Sequence, residues 1–215
     1  IRFRWTSSQD SWFIPSLSYV MYEFEIQKTG GNIVAADQFE TCEFPGAAAS
    51  SGGPTTVQLG STNVATITSP GVTAAMYARQ YGQKETRESI MEPFNKGFFS
   101  ADLKTFNVCY QPPCGFFNTD SAIPSGSYVL GINLSTNYIN DMMASRATAD
   151  KGALIPGLSI VLKKATFMAT HAQPSGTPSI PRTVTIPLVD ISTNNQSVTA
   201  AGNHTLSFSV PASTK

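Results

Sequence analysis

An all-β fold, an antiparallel sandwich of two sheets, is what this chain predicts, and three observations carry it. Hydrophobic residues alternate with polar ones at period two in several segments, residues 19–26, 128–134 and 206–210 among them. Clusters of Gly, Pro and Asn punctuate those segments as turns would. The apparent strands do not alternate with helices in a β-α-β series, which argues against a doubly wound parallel sheet.

The elements follow in chain order. Arg2, Phe3, Arg4 and Trp5 open an extended segment with its cations on one face and its rings on the other. In residues 19–26, Val20, Tyr22, Phe24 and Ile26 share one face while Glu23, Glu25 and Gln27 share the other, the mark of a half-buried strand. Thr29-Gly30-Gly31-Asn32 is a turn whose glycines can take positive φ. Ile33 and Val34 begin an extended stretch toward Phe44, and residues 45–54, rich in Ala, Ser and Gly, are expected as an exposed loop. Strands are expected at 56–59 and 63–68.

Residues 72–94 differ from the rest. Ala74, Ala75, Met76, Ala78, Arg79 and Gln80 favour a helix, as do Glu85, Arg87, Glu88, Ile90 and Met91, until Pro93 stops it. A short helical insert is expected here. Beyond it, residues 98–109 are extended and Pro112-Pro113 breaks them. Tyr128, Leu130, Ile132 and Leu134 point inward from the next strand, and residues 138–144 suggest a helical turn or two. A strand at 158–163 runs on to Met168. A Pro- and Ser-rich loop covers 173–181, and strands around Val184, Ile186 and Leu188 and around Leu206, Phe208 and Val210 close the chain.

The 215 residues read as a single domain, 1–215, with 41% hydrophobic residues to build its core. Only 13% are charged and the formal net charge is zero, so nothing global steers the chain toward nucleic acid or an acidic membrane. Ser, Thr, Asn and Gln supply the polar surface instead, and such a surface packs against neighbouring subunits without stranding charges. No run is long enough to span a membrane, and no signal peptide opens the chain. The absence of a leading Met suggests the ordered part of a longer chain. Of three cysteines, Cys109 and Cys114 flank Gln111-Pro112-Pro113 and could bridge, but buried thiols are the plainer reading, with Cys42 left over.

Chemistry is sparse. His171 and His204 are the only histidines and stand far apart, with no metal-ligand spacing around them. Glu23 and Glu25 share a strand face roughly 7 Å apart, a separation that glycosidase carboxylates can have, although spaced surface charges explain it more simply. Asp37, Glu40 and Glu43 lack the pattern of a calcium loop. No nucleophile elbow or phosphate-binding loop occurs. Sequons at Asn133, Asn195 and Asn203 are of the kind that arise by chance in an Asn- and Ser-rich chain. Lys163-Lys164 is too short a basic run to carry meaning. No catalytic, metal-binding or cofactor-binding set is therefore assigned, and the chain is expected not to be an enzyme. The weakest of the readings weighed is a sandwich glycosidase acting through Glu23 or Glu25.

Three regions together carry a resemblance. Arg2-Phe3-Arg4-Trp5 leads through Asp10-Ser11-Trp12-Phe13-Ile14-Pro15 into the long alternating strand at 18–26; a helical insert interrupts an otherwise all-β chain; and residues 158–168 are followed by a long loop, residues 184–188 and the closing Phe208-Ser209-Val210-Pro211. This pattern resembles a viral jelly-roll capsid protein, including one roll of the double-jelly-roll kind. It departs from many such coats in that these residues include no basic arm; either one lies outside them or genome packaging does not use one.

The resemblance implies a capsid subunit that self-assembles into an icosahedral shell, found in the virion and assembled inside the host cell. Its expected partners are copies of itself, other capsid proteins, and a host receptor or glycan, with no membrane insertion. Arg2 and Arg4 would give a weak contact to the genome, unless they are simply two arginines on a solvated strand, which is the plainer reading. Trp12, Phe98, Phe99, Phe116 and Phe117 would be interface anchors, unless they are core aromatics, which is the plainer reading for most. A carbohydrate-binding, lectin-like sandwich module is the alternative.

Overall fold

The computed structural model describes residues 1–30, 39–41, 52–68, 70, 73, 76, 98–99, 105–134, 143–145 and 158–176. Among them lie twelve strands: β1 (Arg2–Ser7), β2 (Trp12–Phe13), β3 (Tyr19–Lys28), β4 (Phe39–Thr41), β5 (Gly52–Leu59), β6 (Thr62–Ile67), β7 (Phe98–Phe99), β8 (Thr105–Tyr110), β9 (Gly126–Leu134), β10 (Met143–Ser145), β11 (Leu158–Met168) and β12 (His171–Ala172). Two four-stranded sheets dominate, in the orders β1-β9-β5-β6 and β11-β3-β8-β7, and two-stranded pairs join β10 to β4 and β12 to β2. Every pairing is antiparallel.

Period-two burial builds the core as the alternation requires. Val20, Tyr22 and Phe24 are buried on β3, and Tyr128, Leu130 and Ile132 on β9. These residues, with Val57, Ala65 and Ile67 of the same sheet as β9 and Tyr110 of the same sheet as β3, form one hydrophobic cluster. The two inner faces meet through aromatic rings: Trp5 on β1 and Phe167 on β11 have centroids 4.3 Å apart, and Phe3 lies 5.9 Å from Phe167. Phe13 and Tyr128, at 4.9 Å, extend the ring cluster toward Phe116. Tilted pairs of this kind suit the ring quadrupole better than a face-to-face sandwich.

A β-bulge sets the register of β11. Leu162 pairs with Phe24 and Lys164 with Glu23, leaving Lys163 as the extra residue. Before the bulge Leu162 packs on the core; after it Ala165 and Phe167 do. The inward parity thus changes from even to odd residues across one inserted position, which strict alternation cannot do.

The corner between β2 and β3 is built around Ser18. Ile14, Pro15 and the short 3-10 turn Pro15–Leu17 redirect the chain there. The Ser18 side chain is wholly buried; its hydroxyl donates to the Ile14 carbonyl (2.8 Å) and accepts from the Thr170 amide (2.9 Å). Gln111 Nε2 donates to the carbonyls of Ser16 (2.9 Å) and Ser18 (3.2 Å), tying the loop after β8 to the same corner.

Several sequence-based expectations are met, and three need correction. Gly30 takes the positive φ, +83°, expected of the turn after β3. Residues 52–54, read as loop, are the start of β5: the ladder is irregular between Gly52 and Thr55, and this irregularity admits a proline without a donated hydrogen bond. Phe98–Phe99 and Thr105–Tyr110, read within one extended stretch, are two strands paired antiparallel, Phe98 opposite Asn107 and Phe99 opposite Phe106. Residues 143 and 144, read as helical, belong to β10, where pairing with β4 overrides a weak local preference. Of the helical insert at 72–94, Thr73 and Met76 have helical backbone and the rest lies outside the described residues. The same holds for the strands expected around 184–188 and 206–210.

Candidate functional site

The two sheets turn very different outer faces to their surroundings. On the sheet of β11, β3, β8 and β7, Glu23 and Glu25 project outward beside Lys163 and Lys164 of the neighbouring strand. Lys163 Nζ lies 2.7 Å from Glu25 Oε2. The hydrogen bond that Lys163 donates to Glu25, and then the charge of Glu25, with Glu23 adding, raise the Lys163 pKa. The carboxylates that could have been read as a glycosidase pair thus include one member held in an exposed ion pair, an ordinary surface arrangement of small energetic weight.

The sheet of β1, β9, β5 and β6 contains no Asp, Glu or Lys in any strand. Among the described residues its only charged side chains are Arg2 and Arg4, both exposed on β1, with Phe3 and Trp5 turned inward between and beside them. Register defines two rows across this face. One runs Arg2, Gly131, Thr56 and Thr66; the other runs Arg4, Val129, Gln58 and Asn63. Arg2 Nη2 donates to Gln58 Oε1 at 3.4 Å, a long contact that leans the guanidinium over the sheet. Gly131 leaves room for the Thr56 side chain: a Cβ there would come 2.8 Å from Thr56 Oγ1. The result is a face lined by hydroxyls, amides and Val129, with two aligned cations on β1.

The interior holds a few polar groups. Tyr22 and Tyr110 are stacked at 6.2 Å on adjacent strands, and neither hydroxyl has a hydrogen-bond partner. Burial pushes the Tyr22 hydroxyl well above the ordinary tyrosine range, with Tyr110 beside it as a second cause. Tyr110 is likewise raised by burial, which the Thr55 side chain partly offsets. Tyr128 differs, since its hydroxyl meets Ser7 Oγ at 2.9 Å.

The remaining sequence-selected residues are dispersed. His171 is exposed on β12, where Nδ1 meets Ser11 Oγ at 3.1 Å and the ring lies 5.8 Å from Phe13. His204 lies outside the described residues, as do Cys42, Asp37, Glu43, Asn195 and Asn203 and the side chains of Glu40, Phe98 and Phe99. Among the described residues no group of three or more His, Cys, Asp or Glu side chains could hold a metal ion. Neither Cys109 nor Cys114 forms a disulfide: Cys109 is half-buried beside Met21 on an outer face, whereas Cys114 is part of the core. Phe116 and Phe117 are core residues, and Trp12 is half-buried with Nε1 donating to the Gln9 carbonyl at 2.8 Å. Asn133 is exposed on β9. Among the described residues no helix is long and apolar enough to cross a membrane.

Sequence reasoning missed the contact between Ser11 and His171, which needs the pairing of β2 with β12. It also missed the uncompensated character of the Arg2 and Arg4 face. The signal for the latter was present as four strand segments without an acidic residue, but which strands share a sheet is not written in any one of them. No protein-family model matches the chain, and no curated protein matches it in sequence.

Proposed function

We propose that this chain is a structural subunit of a viral capsid, of jelly-roll type, whose copies assemble into an icosahedral shell. The observation that carries the reading is the nearly uncharged outer face of the described β1-β9-β5-β6 strands on an aromatic-cored sandwich. Such a surface loses little on desolvation and can be covered by a neighbouring copy without burying unpaired acids. The chain also passes repeatedly between its two sheets, from β1 to β3, from β3 to β5, from β6 to β7 and from β8 to β9, a trait that jelly rolls share. In this reading the loops carry contacts and the sandwich supplies rigidity.

Purified protein examined by negative-stain microscopy and sedimentation velocity tests the proposal. Closed particles, or trimers and pentamers that convert to them, are the expected result. A monodisperse monomer across protein concentration, salt and pH would refute it. The lectin-like alternative gains no support from the ring geometry, because Phe3, Trp5, Phe13 and Tyr128 are committed to the core and leave no stacking platform on the outer face of this sheet.

A further inference from the structure

We infer that Met21, Cys109 and Met168 together form a binding site for a soft monovalent metal ion, copper(I), on the outer face of the β11-β3-β8-β7 sheet. The inference needs only the folded chain and stands apart from the shell proposal.

Register brings the three sulfurs to one end of one face. Met21 on β3 is directly opposite Cys109 on β8. Directly opposed residues have Cβ atoms about 4.5–5.5 Å apart, close enough for a thiolate and a thioether to share one metal ion. On the other side of β3, Thr166 is opposite Met21 and Met168 is opposite Tyr19. Met168 is therefore the diagonal neighbour of Met21, about 7–8 Å away, within reach of two flexible, unbranched side chains. The bulge at Lys163 is what aims Met168 outward. Strict alternation from the inward Leu162 would send residue 168 to the core; the extra residue instead turns Ala165 and Phe167 inward and leaves Met168 43% exposed. Re-aiming a side chain next to a functional site is a recurrent use of such bulges.

The donors are available and chemically alike. Cys109 forms no disulfide, and both it and Met21 are half-buried, open to the outer face on one side. Thr166, Met21 and Cys109 make an uncharged row; the charged groups facing it, Glu23 and Lys164, lie in the next row along the strands, with Asn107. Thiolate and thioether sulfur select copper(I) over the hard cations, and one thiolate without an imidazole falls short of a zinc ligand set. On binding, the Cys109 sulfur gives its proton to solvent and its electron pair to the metal, and nothing is oxidised or reduced.

The test titrates the intact chain, free of oxygen, into the coloured copper(I) complex of bicinchoninate. The chain withdraws one copper ion per molecule. Cys109→Ser loses about 100-fold in affinity, and M21L/M168L, which keeps volume and apolar character, loses about tenfold. Cys42→Ser binds as the parent does, which separates Cys109 from the other thiols. Unchanged thermal midpoints check that the variants fold. Failure to withdraw copper, or binding that Cys109→Ser leaves intact, overturns the inference. So does M21L/M168L binding as tightly as the parent, which would make Cys109 an ordinary thiol that takes the metal alone.

Discussion

Tyr22 and Tyr128 present the same substitution with opposite expected signs. Both rings are buried, at 0% and 1% exposure, on facing sheets of one core. The Tyr128 hydroxyl is hydrogen-bonded to Ser7 Oγ at 2.9 Å, whereas the Tyr22 hydroxyl has no partner. Tyr128→Phe therefore removes a net-favourable contact and should cost about 1 kcal/mol. Tyr22→Phe keeps the ring and its packing but removes a polar group whose desolvation nothing offsets, and should stabilise by about 1–2 kcal/mol. For a chain of this length each kcal/mol moves the melting temperature by about 2–4 °C, so the two variants should separate by about 4–12 °C. Urea unfolding followed by tryptophan fluorescence measures both, with an unchanged m-value as the check that compactness is unaltered. A loss of more than about 1 kcal/mol in Tyr22→Phe would refute the reasoning, since only a hydroxyl held by a partner behaves that way.

Three further outcomes follow. The folded state holds Tyr22 and Tyr110 neutral, with Tyr128 raised by burial in the same direction, while the unfolded chain ionises its tyrosines near pH 10. Their contribution is whole below that pH and is lost above it, at up to about 1.4 kcal/mol per pH unit per group, and the urea midpoint should fall from pH 10 upward, less steeply in Tyr22→Phe. Ser18→Ala strips a buried corner of two hydrogen bonds and should cost about 2–3 kcal/mol by the same denaturation assay; a change under 0.5 kcal/mol would mean the corner is held by packing alone. Deleting Lys163, the one extra residue, closes the bulge into a regular ladder that keeps Lys164 opposite Glu23 and leaves Ala165 and Phe167 inward, so the variant should stay soluble and melt cooperatively, as should Lys163→Ala, which removes only an exposed ion pair; loss of cooperative melting in the deletion alone would show that the twist of the bulge is needed.

The alternation of β3 and β9 was legible because each face meets a uniform environment: Val20, Tyr22 and Phe24 on one side, Glu23 and Glu25 on the other. The same rule located β11 to its last residue, yet it could not show the bulge, since Lys163-Lys164 reads as two polar positions whichever of them is extra. Residues 143–145 show a second limit. Their strand exists through a partner about a hundred positions earlier in the chain, a tertiary fact that no local propensity contains. As for the candidate face, the alternation of Arg2 and Arg4 with Phe3 and Trp5 was plain in the sequence. That these cations border a sheet with no acid depends on β1 pairing with β9, and β9 with β5.

The difference between the two outer faces bears on how such a sandwich could be used. A subunit in a closed shell must distinguish an inner from an outer surface, and a net charge of zero offers no overall polarity to do so. The sheets supply it locally. One face pairs acids with bases across β3 and β11 and leaves little field beyond a Debye length. The other carries two cations with nothing in its own strands to cancel them, so its field persists until an outside anion or the surrounding salt answers it. If copies associate side by side in one orientation, these small fields add over a common surface, and many weak contacts to one long polyanion gain strength through linkage without further basic residues. Reversing the sign at Arg2 and Arg4, both exposed, should therefore reverse the field of that face while leaving the sandwich folded.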